Sequence, residues 1–77
     1  MSTFRLVDNV DRESEDFEAP DLHSAVSRAI ELLADWWKYA DPAEHPLVSG
    51  TLYEVDEFDI ITRAFVEARI PTERSML

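Results

Sequence analysis

The chain has no cysteine, a single glycine and few basic residues, and each shortage excludes something. Without cysteine there is no disulfide to brace a small core, no thiolate metal site and no thiol nucleophile. With one glycine there is no glycine-rich loop to cradle a phosphate. Seven Lys and Arg face 17 Asp and Glu, giving a net charge of -10. A surface of that sign repels nucleic acid and anionic lipid, so direct binding to either is not expected. No apolar run approaches the ~20 residues that span a bilayer. The opening MSTFRLVDNV has neither the basic start nor the apolar stretch of a signal peptide, which makes a cytoplasmic location the expectation.

What is present is a chain of 77 residues with 45% hydrophobic content, enough for one small globular domain. A core of that size is marginal by itself, and oligomerisation is one remedy. Residues 3–10 alternate, with Phe4, Leu6 and, at the far end, Val10 on one face and Thr3, Arg5 and Val7 on the other, which predicts a strand. Residues 11–16 read as an acidic loop, and 17–19 as a short second strand with Phe17 and Ala19 on one face. Asp21 is placed to cap a helix. Leu22, Ala25, Val26, Ala29, Ile30, Leu33, Trp36, Trp37 and Ala40 then recur at spacings of three and four, a wide apolar stripe ended by Asp41-Pro42. Two prolines mark 41–49 as a connector, and Gly50 opens the C-terminal part. Two strands with a turn at 56–59 are expected there, because β-branched and aromatic residues are dense. A helix over 59–70 is the alternative, since Phe58, Ile61, Phe65 and Ala68 also fit a helical stripe. The expected fold is α+β: a small antiparallel sheet in the order β-β-α-β-β, with one long amphipathic helix on one face. Residues 1–71 are expected to form the domain and 72–77 a flexible tail.

No catalytic or metal-binding set stands out. Asp11, Glu13 and Glu15 imitate the first ligands of an EF-hand loop. However, Asp16 stands where that loop needs glycine, and Leu22 where it needs glutamate. His23 and His45 have no second imidazole at ligand spacing, and no serine lies in a nucleophile-elbow context. Neither enzymatic activity, metal nor cofactor is expected. Trp36 and Trp37 point about 100° apart on a helix. Either both fill the core, or one joins Tyr39 at the surface as an anchor for a partner.

The acids are clustered. Seven lie between Asp8 and Asp21 and four more at Glu54, Asp56, Glu57 and Asp59. Such runs often serve only solubility. The alternative is that Asp11, Glu13, Glu15, Asp16 and Glu18, with Glu54, Asp56, Glu57 and Asp59, form a partner-binding surface. If 11–15 is extended, alternate carboxylates sit about 6.6 Å apart on one side. Glu54 and Asp56 are expected on the outward face of their strand. Rows of this kind imitate a phosphate backbone and fit a groove lined with Lys and Arg.

The stretch FEAPDLHSAVSRAIELL, followed by GTLYEVDE and IITRAFVEARI as a hairpin, resembles in its order of elements the small phage-encoded anti-CRISPR proteins. The resemblance implies a non-enzymatic protein that blocks a bacterial defence complex in the host cell cytoplasm, acidic members covering a nucleic-acid-binding surface. It rests on no shared motif and fixes no residue's role. The expected partner is a basic host protein or nucleoprotein complex, a CRISPR effector being one instance. A small structural or homodimerising protein is the competing expectation.

Overall fold

In the computed structural model, residues 1–72 are described. Strands β1 (Ser2–Asp8) and β2 (Ser14–Ala19) form a hairpin, helix α1 (Leu22–Tyr39) follows, and β3 (Leu47–Val55) and β4 (Ile61–Pro71) form a second hairpin. All neighbours are antiparallel, in the order β2-β1-β3-β4. The two hairpins are therefore joined through β1 and β3, and β2 and β4 are the edges. The α+β fold and its element order match the expectation, and 61–71 is strand rather than helix.

The alternation in β1 does what its pattern predicts as far as Asp8, where the strand ends and leaves Val10 exposed in the turn. Phe4 and Leu6 are buried under α1, while Thr3, Arg5 and Val7 lie on the open face. Directly opposed residues in an antiparallel pair share a face. Thus Phe17 opposite Phe4, Ala19 opposite Ser2 and Leu52 opposite Leu6 all turn inward. Ala25, Ala29, Leu32 and Leu33 close the core from the helix side. Leu32, outside the expected stripe, is buried, whereas Leu22 and Ile30 lie at its exposed margin. The buried arc is centred nearer Ala29 and Leu33 than the three-four spacing alone indicates.

Asp21 caps α1, its Oδ1 accepting the Ser24 backbone N–H at 2.7 Å. Gly50 is not the opening of β3 but its fourth residue, packed closely against Leu33 of the helix. A Cβ there would lie 2.9 Å from Leu33 Cδ2 and 3.2 Å from Leu6 Cδ1. The connector is shorter than expected, because Pro46 is its last residue and ladder bonding begins at Leu47. The second strand is longer, beginning at Ser14 rather than Phe17. An edge strand keeps Glu15 and Asp16 in water, so their low β-propensity does not stop pairing. Thr72 is no tail residue. It is 1% exposed, its N–H donates to the Pro46 carbonyl, and its hydroxyl donates to the His45 carbonyl. The remainder of the expected tail, 73–77, lies outside the described residues.

Candidate functional site

The strand directions decide where the acids go. The β1–β2 turn lies at one end of the sheet. The β3–β4 turn lies at the other, beside the start of β1 and the end of β2. Between them stands the length of β1, about 23 Å of extended backbone, in a molecule 44 Å long. The carboxylates therefore divide between two ends and do not form one continuous surface.

Asp11 and Glu13 belong to the β1–β2 end. The expected row of Asp11, Glu13 and Glu15 does not form, because 9–13 is a turn and not extended chain. Asp8 builds that turn, its Oδ1 accepting the N–H groups of Val10 at 2.8 Å and Asp11 at 3.2 Å. Arg12 closes it with a φ of 59°. Glu15, opposite Leu6, points to the helix side at the sheet margin. Glu54 is likewise not on the outward face. It opposes Phe4, so it is half-buried on the helix side. Asp56 is not a strand residue. Its Oδ1 accepts the N–H groups of Phe58 and Ile60, each at 2.9 Å, and this ties the β3–β4 turn. An aspartate bonding the backbone two residues on is the usual way this residue type makes a turn.

The open face at the β3–β4 end brings the two acidic segments together. Asp16 and Glu18 come from β2, and Glu57 and Asp59 from the turn. Arg5 stands between the two sets. Its Nε and Nη2 meet both oxygens of Asp16 at 2.7 and 2.9 Å, and Nη2 also donates to Asp59. The fork geometry favours this bidentate pairing. Asp59 reaches the guanidinium from a left-handed backbone with φ 64°, a conformation that aspartate tolerates better than most residues. The hydrogen bond from Arg5 holds the Asp16 carboxyl below the usual range. Asp16 first, and Asp59 second, raise the Arg5 guanidinium further above its ordinary value, against a small opposing effect of burial. Glu18 and Glu57 make no ion pair among the described residues, so this end stays negative after Arg5 is engaged.

The same turn exposes apolar side chains. Phe58 is 74% exposed and Ile60 is 59% exposed, one on each side of Asp59. Neither is among the residues expected to bind a partner, because Phe58 falls in the turn expected at 56–59 and otherwise enters only the helical alternative. The signal was available in the turn itself: an aromatic residue between Glu57 and Asp59 has no core to face. Arg5 was equally legible in principle, as the one base on the face of β1 opposite Phe4.

A second feature lies at the far end. A groove of about 210 Å³ runs between the β1–β2 turn and the helix C-terminus, with Asp8, Asp11 and Glu13 on one wall and Trp36 and Tyr39 on the other. Both tryptophans are half-buried against the core, and Tyr39 is exposed. Among the described residues, no three His, Asp or Glu side chains are grouped so as to hold a metal ion. No described helix is long and apolar enough to cross a membrane. No protein family, curated protein or solved structure matches the chain.

Proposed function

We propose that the protein is a non-enzymatic inhibitor whose acidic end occupies a basic, nucleic-acid-binding surface on another protein. The observation that carries this reading is the convergence at the β3–β4 end. Two acidic segments about forty residues apart meet there, and the one base between them is already held by both Asp16 and Asp59. Glu18 and Glu57 are left to face a partner. Phe58 and Ile60 supply the apolar anchors that an interface of this kind needs beside its charges. Charge of one sign speeds encounter and makes it salt-dependent, while the desolvated anchor determines residence. A bacterial defence complex that handles nucleic acid, the target implied by the resemblance to anti-CRISPR proteins, offers such a surface. So do other nucleases and transcription factors.

The site is smaller than the full acidic content of the chain. Asp16, Glu18, Glu57 and Asp59 form it, with Glu54 and Asp56 behind the turn. Asp11, Glu13 and Glu15 lie outside it. Recovery of host proteins on the immobilised chain tests the proposal, with an E18K/E57K variant run in parallel. The expected result is a basic nucleic-acid-binding protein retained by the wild type, released by DNA and by salt, and lost from the variant. Equal retention by the variant contradicts the proposal.

A further inference from the structure

The second edge of the sheet carries a different surface. β4 is an 11-residue edge strand, and α1 covers its inner side only in part, leaving Ala68 and Ile70 half-buried. Val66 is 46% exposed there and Ile30, across from it on the helix, 60%. Two adjoining apolar hollows, of about 110 and 300 Å³, run along this side and share Ile30, Leu33 and Ala68. We propose that this edge pairs with the same edge of a second copy of the chain, antiparallel about a two-fold axis at Ala68, to form a continuous eight-stranded sheet.

The backbone selects the residues that can pair. In an antiparallel ladder, successive residues turn their N–H and C=O groups alternately toward one neighbour and the other. The Thr72 N–H reaches Pro46 on the β3 side, so Ile70 and Ala68 also bond toward β3. Arg69 and Glu67 therefore point their N–H and C=O groups away from the sheet. Pro71 has no N–H, and its carbonyl already accepts from Trp37 Nε1 at 3.0 Å. It closes the edge at one end, and the register shift that follows Leu52 interrupts it at the other. What remains open among the described residues is the pair of donors and acceptors on Glu67 and Arg69.

The side chains then select the register. An axis at Ala68 sets Glu67 opposite Arg69 of the second copy, and Arg69 opposite its Glu67. Both pairs carry opposite charges on the open face. On the helix side, Val66 meets Ile70 of the second copy, and the apolar hollows of the two chains face each other. An axis at Glu67 opposes glutamate to glutamate, and one at Arg69 opposes arginine to arginine. Like charges directly opposed across strands are unfavourable. The 61–71 strand carries Arg63, Arg69 and Glu67, a net positive segment in a chain of net charge -10. The acidic repulsion between two copies is therefore weaker at this edge than at β2, which carries Glu15, Asp16 and Glu18 without a base.

Sedimentation equilibrium on the full chain, from micromolar to millimolar concentration, tests the proposal together with two charge variants. The wild type should approach twice the chain mass of 8.9 kDa. E67R places arginine opposite arginine, and R69E places glutamate opposite glutamate, so each should weaken self-association by about tenfold or more. The doubly swapped E67R/R69E chain should recover it. An equimolar mixture of E67R and R69E should form the mixed dimer that neither variant forms alone. A wild type that stays at 8.9 kDa throughout overturns the proposal, as does a dimer indifferent to both single substitutions. Neither substitution touches Glu18, Glu57 or Phe58, so failure here leaves the inhibitor reading to its own test.

Discussion

The two edges of this sheet present the same backbone opportunity and answer it in opposite ways. Ladder alternation leaves Asp16 and Glu18 facing outward on β2, and Glu67 and Arg69 on β4. Any self-pairing of β2 opposes acid to acid. Pairing of β4 about Ala68 opposes acid to base. β2 is six residues long and carries Glu15, Asp16 and Glu18 without a base, which is how natural sheets keep an edge from associating. β4 is nearly twice as long, is net positive and has an apolar groove beside it. Charge composition summed over the chain hides this difference. The sign of a surface depends on which residues the register turns outward.

Both edges depend on one thin core, so the largest effect comes from removing it. Leu52 is 2% exposed and opposes Leu6 at the centre of the sheet. Leu52→Ala should cost about 2–5 kcal/mol, much of the stability of a domain this small. Chemical denaturation monitored by circular dichroism should show the midpoint falling steeply, and both edge surfaces should disappear with the fold. A next, smaller effect separates the edges. Val66→Lys places a charge in the apolar hollow of β4 and should abolish self-association, with partner capture at the acidic end unchanged. Phe58→Ala should do the reverse, weakening partner capture by roughly 1–2 kcal/mol if Phe58 is a central anchor and leaving the mass distribution as it was. Neither position is in the core, so chemical denaturation of each variant should give a midpoint close to that of the wild type.

The smallest effect concerns the ion pairs of the acidic end. Asp16 is held below its ordinary value of 3.8 chiefly by the hydrogen bond from Arg5. Asp21 is held below the same value chiefly by the backbone N–H of Ser24. A carboxyl whose folded value is depressed contributes stability that is fully present above its unfolded value and is lost as pH falls through the folded one. Both contributions should therefore be intact at neutral pH and fade below 3.8. Asp16→Asn should remove its share at neutral pH and flatten the acid limb of a plot of Tm against pH. The pair is solvent-exposed, so the change at neutral pH should stay under about 1 kcal/mol.

Much of the fold was legible because local signals agreed. The Asp21 cap, the alternation of Phe4 and Leu6, and the turn-forming acids at 56–59 each point to the element that forms. The candidate site was legible only in part. Sequence clustering counts Asp8 and Asp56 with the other carboxylates, yet each directs its Oδ1 to two backbone N–H groups of its own turn. Glu54 alternates correctly along β3, but its face is set by its partner Phe4, which the sequence of β3 alone does not reveal. The separation of Asp11 and Glu13 from Asp16 follows from the hairpin, which sends β2 back along β1. The ion pair from Arg5 to Asp59 joins residues 54 positions apart and depends on β1 lying beside β3. The polarity of the two edges was present in the residues all along, but it has meaning only once the register shows which backbone groups face outward.

Amide hydrogen exchange at four residues compares the edges most directly. In the monomer, the N–H groups of Asp16, Glu18, Glu67 and Arg69 all face solvent and should exchange fast. As concentration rises, Glu67 and Arg69 should become protected while Asp16 and Glu18 stay fast, and in R69E the protection should be lost. Fast exchange at Glu67 and Arg69 at every concentration, or protection arising equally on β2, would contradict the account.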